Sequence, residues 1–179
     1  LTSDKRLLIA GLASLYVEGG QTAIIDAVYV SVERLAKRKT EDQLRRQALI
    51  LITDREERQS FYKQAQLFEL LARNDIQIYV VGLTKELSGN VKTRATELLT
   101  RLATQTGGRI FFPQAKGDLV GIADEIVNDI RTQYVIGYVP SGNGKDNSFH
   151  KVQVSIANNP QPEKRIAITR VGYSTAGKN

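Results

Sequence analysis

Two short segments carry residue types that suit a hard cation. Gly19-Gly20-Gln21-Thr22 is a glycine-rich stretch ending in a Thr just before a long helical pattern. Leu49-Ile50-Leu51-Ile52-Thr53-Asp54 is an apolar run ending in a hydroxyl and a carboxylate. A cation such as Mg²⁺ takes oxygen ligands from hydroxyls and carboxylates and keeps several waters. Thr22 and Asp54 are therefore the candidate metal-side residues. Each also has an ordinary structural explanation. A Thr before a helix is an N-cap, and an Asp after a strand makes an Asx turn or caps the next helix. The glycine pair is not a phosphate loop, because no Lys-Ser/Thr follows it and no apolar strand precedes it.

Other chemistries are narrowed by what the chain lacks. Its 179 residues contain no Cys, which removes disulfides, zinc–thiolate sites and cysteine nucleophiles. With one His, His150, a His-rich metal cluster is impossible within the chain and a Ser-His-Asp triad has a single candidate. A serine hydrolase is further disfavoured by the absence of a nucleophile-elbow motif and of a plausible partner for that His, so no enzymatic activity is expected. The formal charge of +6 is moderate and its acids are interleaved throughout, so a solvated surface is expected rather than a nucleic-acid partner. Lys37–Lys39 and Arg45-Arg46 are read the same way. At 41% hydrophobic and 25% charged the composition is that of a globular protein. No apolar run approaches the roughly 20 residues of a membrane helix. The chain contains no Met, and its start reads as the middle of a longer product.

The elements that would position Thr22 and Asp54 follow from periodicity. Helices are expected over 4–16 (capped by Thr2 or Ser3), 23–38, 61–73, 91–105 and 118–132. The clearest has Ile25, Val28, Val32 and Leu35 on one stripe. Ala65, Phe68 and Ala72 mark the third helix, Ala95, Leu98, Leu99 and Leu102 the fourth, and Leu119, Ile122, Ile126 and Ile130 the fifth. Residues 47–53 and 76–83 are continuous apolar runs suited to strands buried on both faces of a parallel sheet, and 109–112 to a short third strand. From 133 the pattern becomes strand-like alternation over 133–139, 148–156 and 165–173, with turn-rich segments between, and Tyr134, Tyr138 and Tyr173 are expected to pack there. The body is thus an α/β domain with a mostly parallel sheet, residues 1–132, followed by an antiparallel β extension, residues 133–179. Ligands of such sheets bind at the carboxyl ends of the strands, which points to the loops at 19–22, 55–60 and 84–90. Asp26, in the first helical turn, is expected to pair with that helix's own N-terminus.

The strings GGQTAIIDAVY, ALILITDREE, IQIYVVGL and LATQTGGRIFFP, in this order, resemble a von Willebrand factor A domain. The tail QYVIGYVPSGNGKDNSFHKVQVSI, closing on RVGY, is similar to the C-terminal extension of the bacterial VWFA-related (acidobacterial-type) group. The resemblance covers essentially the whole chain. It implies a doubly wound, Rossmann-like sheet with a metal-ion-dependent adhesion site on its upper edge. That site uses a D-x-S-x-S loop, a Thr and an Asp, the last two falling on Thr22 and Asp54. The chain departs from the pattern twice: it holds no D-x-S-x-S, and Arg55 stands where the family usually has Gly after the Asp. The metal site within this chain is therefore incomplete.

The implied function is a non-enzymatic protein-binding module. A divalent cation, Mg²⁺ or else Mn²⁺ or Ca²⁺, would link Thr22 and Asp54 to a carboxylate offered by a protein ligand. The alternative is a metal-independent assembly domain. In the family the strand matching 47–53 pairs with the strand that carries D-x-S-x-S. Without that partner a long apolar edge invites another chain, including a second copy of this one. Members of the group often look exported, and the compartment is written upstream of Leu1.

Overall fold

The structure is a computed structural model and describes residues 2–16, 21–37, 47–138, 148–157 and 166–174. Three parallel strands form the central sheet: β1 (Gln47–Thr53), β2 (Ile76–Gly82) and β3 (Ile110–Phe111), in the order β1-β2-β3. The ladder between β1 and β2 runs from Gln47 opposite Ile76 to Thr53 opposite Gly82. Parallel neighbours need long crossovers, and helices α3 (Gln64–Arg73) and α4 (Gly89–Thr106) supply them. Two more helices, α2 (Ile24–Ala36) and α5 (Asp118–Arg131), flank the sheet, and α1 (Lys5–Ala13) precedes them.

Period-two alternation along β2 feeds two separate cores. Ile76, Ile78 and Val80 point to one face, where they meet Ile24, Ile25, Val28 and Val32 of α2. Leu67, Phe68 and Leu71 of α3 and Leu98, Leu99, Leu102 and Ala103 of α4 complete that layer. Tyr79 and Val81 point the other way, onto Phe111 and Ile126 of α5. Helices therefore cover both faces of the parallel sheet, as expected of an α/β protein. The coarse fold class is the one read from sequence.

Gly107 and Gly108 are required where they stand. Gly107 closes α4 with φ +75, the left-handed geometry that favours glycine. A Cβ on Gly108 would lie 2.0 Å from the Ile78 carbonyl oxygen, so only glycine lets α4 turn so close to β2. The Ile78 N–H, just ahead of the first β2–β3 ladder pair, donates to the Thr106 hydroxyl at 3.0 Å.

Several expectations are corrected. β1 is not buried on both faces: Leu49 and Leu51 pack on the larger core, while Ile50 and Ile52 are 50% and 64% exposed. Among the described residues it has a neighbour only on the β2 side, so its other edge is open. In α3 the buried positions are Leu67, Phe68 and Leu71, and Ala65 is exposed. In α5 only Ile126 is buried, with Leu119 and Ile130 exposed, because α5 covers only part of the second face. The cap of α1 is Asp4, whose carboxylate accepts the Arg6 N–H at 2.9 Å. In the extension only β4 (Phe149–Lys151) and β5 (Gly172–Ser174) form a ladder, antiparallel as expected. Residues 133–138 make no strand, and Tyr134, Val135 and Ile136 are largely exposed. Alternation becomes a strand only where a neighbour completes the hydrogen bonds. The turn segments 140–147 and 158–164 lie outside the described residues.

The extension is anchored by Arg170. Its Nη2 donates to the Ala72 carbonyl at the end of α3 at 3.1 Å, its Nη1 approaches Asp75 at 3.4 Å, and its Nε donates to the Gly172 carbonyl at 2.7 Å. This anchor lies where the chain enters β2, at the end of the sheet opposite Asp54.

Candidate functional site at the carboxyl edge of the sheet

The ladder ends where Leu83 donates its N–H to the Thr53 carbonyl at 2.7 Å. Asp54 leaves the sheet at that point. Its side chain is 69% exposed, and the Arg55 Nε lies 3.9 Å away. Both groups are solvated, so this pair adds little stability, and a divalent cation would compete with Arg55 for the carboxylate.

Segment 54–62 then wraps around the N-terminus of α2. The Thr22 carbonyl accepts the N–H of Arg58 at 2.9 Å and of Gln59 at 3.3 Å. The first turn of a helix has N–H groups without intrahelical partners, and here the partners are distant in sequence. The Ile25 N–H donates to Glu57 Oε2 at 2.8 Å, and the Asp26 N–H to Ser60 Oγ at 3.2 Å. In return the Asp26 carboxylate accepts the N–H of Phe61 at 2.8 Å and of Tyr62 at 2.9 Å. The Tyr62 ring stacks on Tyr29 of α2 with centroids 3.7 Å apart.

The structure thus brings the segments of Thr22 and Asp54 to one edge. The contact is made through the Thr22 backbone and residues four and five beyond Asp54. Thr22 is half-buried and is not the helix N-cap; Ala23 holds that position without a side-chain bond, and Glu57 does the capping. Asp26 sits in the first turn of α2 as expected, but its carboxylate is hydrogen-bonded to the 61–62 backbone. Gly19, Gly20, Arg38, Lys39, Arg45 and Arg46 lie outside the described residues.

The third loop is tied in as well. Residues Thr84–Glu86 form one 3-10 turn with Thr84 buried, while Gly89 and Asn90 already belong to α4. From α4, Arg94 Nη2 reaches Glu56 Oε2 at 3.4 Å, and Arg58 Nε reaches Glu56 Oε1 at 3.5 Å. A cleft of about 500 Å³ opens here between Glu56, Glu57, Arg58, Gln64 and Arg94.

For a cation, Thr22 and Asp54 offer one hydroxyl and one carboxylate. Among the described residues no group of three or more His, Cys, Asp or Glu is arranged to hold a metal ion. Two protein ligands suit only an ion that keeps most of its waters, which Mg²⁺ does. His150 lies away from this edge, on β4. Its ring stacks on Tyr173 and its Nε2 is 2.8 Å from Ser148 Oγ, so the lone His does have a hydroxyl neighbour, two residues away along the chain. The Tyr173 hydroxyl also meets that of Tyr138 at 3.2 Å. No helix among the described residues is long and apolar enough to cross a membrane.

Comparison with protein-family models, with curated proteins and with solved structures finds no match to this chain.

Sequence pattern does not single out Glu57, Ser60 or Phe61. Their partners stand 32 to 35 residues away on α2, beyond the reach of any local pattern.

Proposed function

We propose that the chain is a non-enzymatic protein-binding module of von Willebrand factor A type, contacting its partner at the carboxyl edge of the parallel sheet. The observation that supports this best is the mutual fastening of the 22–26 and 54–62 segments, which leaves Asp54 exposed where the ladder ends. A surface of loops held by hydrogen bonds loses little entropy when a partner docks. Helices on both faces of the sheet agree with the doubly wound architecture that the motif order implies. On this reading Thr22 and Asp54 hold a divalent cation, Mg²⁺ or else Mn²⁺ or Ca²⁺, in the intact protein, and a carboxylate of the partner protein completes its shell. The experiment is calorimetric titration of Mg²⁺ and Mn²⁺ into the protein and into Asp54→Ala. Binding that weakens at least tenfold in the variant is expected; equal affinity in both would sink the metal assignment.

A second reading, metal-independent assembly through the sheet edge, is favoured by β1. Its outer edge is open among the described residues, and Ile50 and Ile52 expose apolar surface beside it. Unpaired strand edges of this kind recruit other chains. Light scattering across a concentration series tests it: a rising mass that Ile52→Lys abolishes supports assembly, and a concentration-independent monomer removes it.

A further inference from the structure

We propose that segment 55–63 is itself a docking element, with Phe61 as an aromatic anchor and Arg55 and Arg58 as flanking cations, and that it fits a protein surface presenting carboxylates around an apolar pocket. The inference rests on the protein-binding reading above but needs no metal.

Phe61 is 87% exposed, the most exposed of the chain's described phenylalanines. A large exposed aromatic on a flexible loop would be unremarkable. This one is held. Its own N–H and that of Tyr62 both end on the Asp26 carboxylate, Ser60 is bonded to the Asp26 N–H, and the next ring is stacked on Tyr29. The Phe61 ring meets Tyr62 edge to face at 5.3 Å. Its backbone is thus fixed before any partner arrives, the condition under which an aromatic side chain contributes most to binding.

Within segment 55–63 the charged side chains left exposed are basic, although its sequence is mixed; on the other side of the ring, Asp26 holds the Phe61 N–H and Glu33 and Glu69 lie near the Tyr29–Tyr62 stack. Glu57 is spent on the N-terminus of α2. The Glu56 side chain is only 13% exposed and lies between Arg58 and Arg94. Both glutamates therefore turn inward, while the side chains of Arg55 and Arg58 remain 57% and 56% exposed and Arg94 69%. Lys63 is exposed as well. Asp54 is the one acid of this run left at the surface, already beside Arg55. A partner meets a ring and several cations, so the complementary surface is acidic with a hydrophobic recess.

The test uses three synthetic amphipathic helical peptides, with a Leu face flanked by Glu, a Leu face flanked by Lys, and a Ser face flanked by Glu, titrated by fluorescence anisotropy in EDTA. The Leu/Glu peptide is expected to bind more tightly than either of the others. Phe61→Ala should weaken it about tenfold, the loss of one anchor. The double variant Arg55→Glu, Arg58→Glu should abolish it, and added salt should weaken it. Phe61 is so exposed that its removal leaves folding intact, checked by an unchanged urea midpoint. Equal binding of the Leu/Lys or Ser/Glu peptide, no binding of any peptide, or indifference to Phe61→Ala overturns the proposal. Binding that requires Mg²⁺ overturns it too and supports the metal-mediated reading instead, whereas metal-free binding with an inert Asp54→Ala separates the two in the other direction.

Discussion

Asp26→Ala tests whether the loop around α2 is held as described. The Asp26 carboxylate accepts two backbone N–H groups, from Phe61 at 2.8 Å and Tyr62 at 2.9 Å. Hydrogen bonds to a charged acceptor contribute about 1.5–3 kcal/mol each. The Phe61 bond is exposed and the Tyr62 bond half-buried, so the lower figure applies and the pair is worth about 3 kcal/mol. In a chain of this size each kcal/mol moves Tm by about 2–4 °C, so a fall of about 6–12 °C is expected. Asp26→Asn keeps the shape and one acceptor oxygen and should lose about half as much. Urea unfolding at pH 7 gives the free energies, with an unchanged m value showing that the same surface is exposed on unfolding. Near-ultraviolet circular dichroism reports the Tyr29–Tyr62 stack separately. A loss below about 0.5 kcal/mol for Asp26→Ala, the level of an ordinary surface substitution, would mean that these two bonds do not hold the loop. So would an Asn variant as unstable as the Ala variant, because the carboxylate's two acceptors would then not be what matters.

Gly108→Ala places a Cβ 2.0 Å from the Ile78 carbonyl oxygen, and the backbone of β2 has no flexible end to yield; a loss of about 3 kcal/mol or more is expected in urea unfolding. Arg170→Ala removes the guanidinium that joins the extension to the end of α3. Amide exchange at 149–151 and 172–174 should quicken about tenfold, equivalent to about 1.4 kcal/mol, while β2 keeps its protection. Asp118 accepts the N–H of Ala115 and Gln114, and those bonds hold its carboxyl below the ordinary 3.8. A depressed folded-state pKa gives stability that is present above the unfolded value and is lost as pH falls through the folded one. The advantage of the wild type over Asp118→Asn in urea midpoint should therefore be constant from neutral pH down to about 5 and shrink below 3.8. An advantage that grows on acidification would reverse the assignment.

The parts of the fold legible in the sequence are those where one element decides its own burial. The stripe of Ile25, Val28 and Val32 is buried as its spacing requires, and Ala95, Leu98, Leu99 and Leu102 likewise. β2, with strands on either side and helices above and below, is the continuous apolar strand that its sequence describes. β1 has the same apolar content but a different fate. Its composition reports that it can be buried on both faces, whereas whether a neighbour is present to bury it depends on residues elsewhere. The same holds for 133–138, where alternation is present and no strand pairs with it among the described residues. Local period describes what a segment can do, and tertiary neighbours decide how much of it is realised.

The candidate site was legible as a place but not as a set of contacts. Strand order and the rule for parallel sheets point to the loops at 22 and 54, and the backbone does bring them together. The chemistry within that edge runs through pairs that no spacing rule connects: Glu57 with Ile25, Ser60 with Asp26, Asp26 with Phe61 and Tyr62. These pairings also change the electrostatics. Read as a string, Asp54-Arg55-Glu56-Glu57-Arg58 is a mixed run with three acids and two bases. Folded, one glutamate neutralises the amino end of a helix and the other lies between two guanidinium groups, so the arginines are left to face outward. The sign of a loop as a partner meets it is thus set by which side chains the fold has already engaged. Here a helix N-terminus engages one acid and two guanidinium groups engage another, while Asp54 stays exposed beside Arg55.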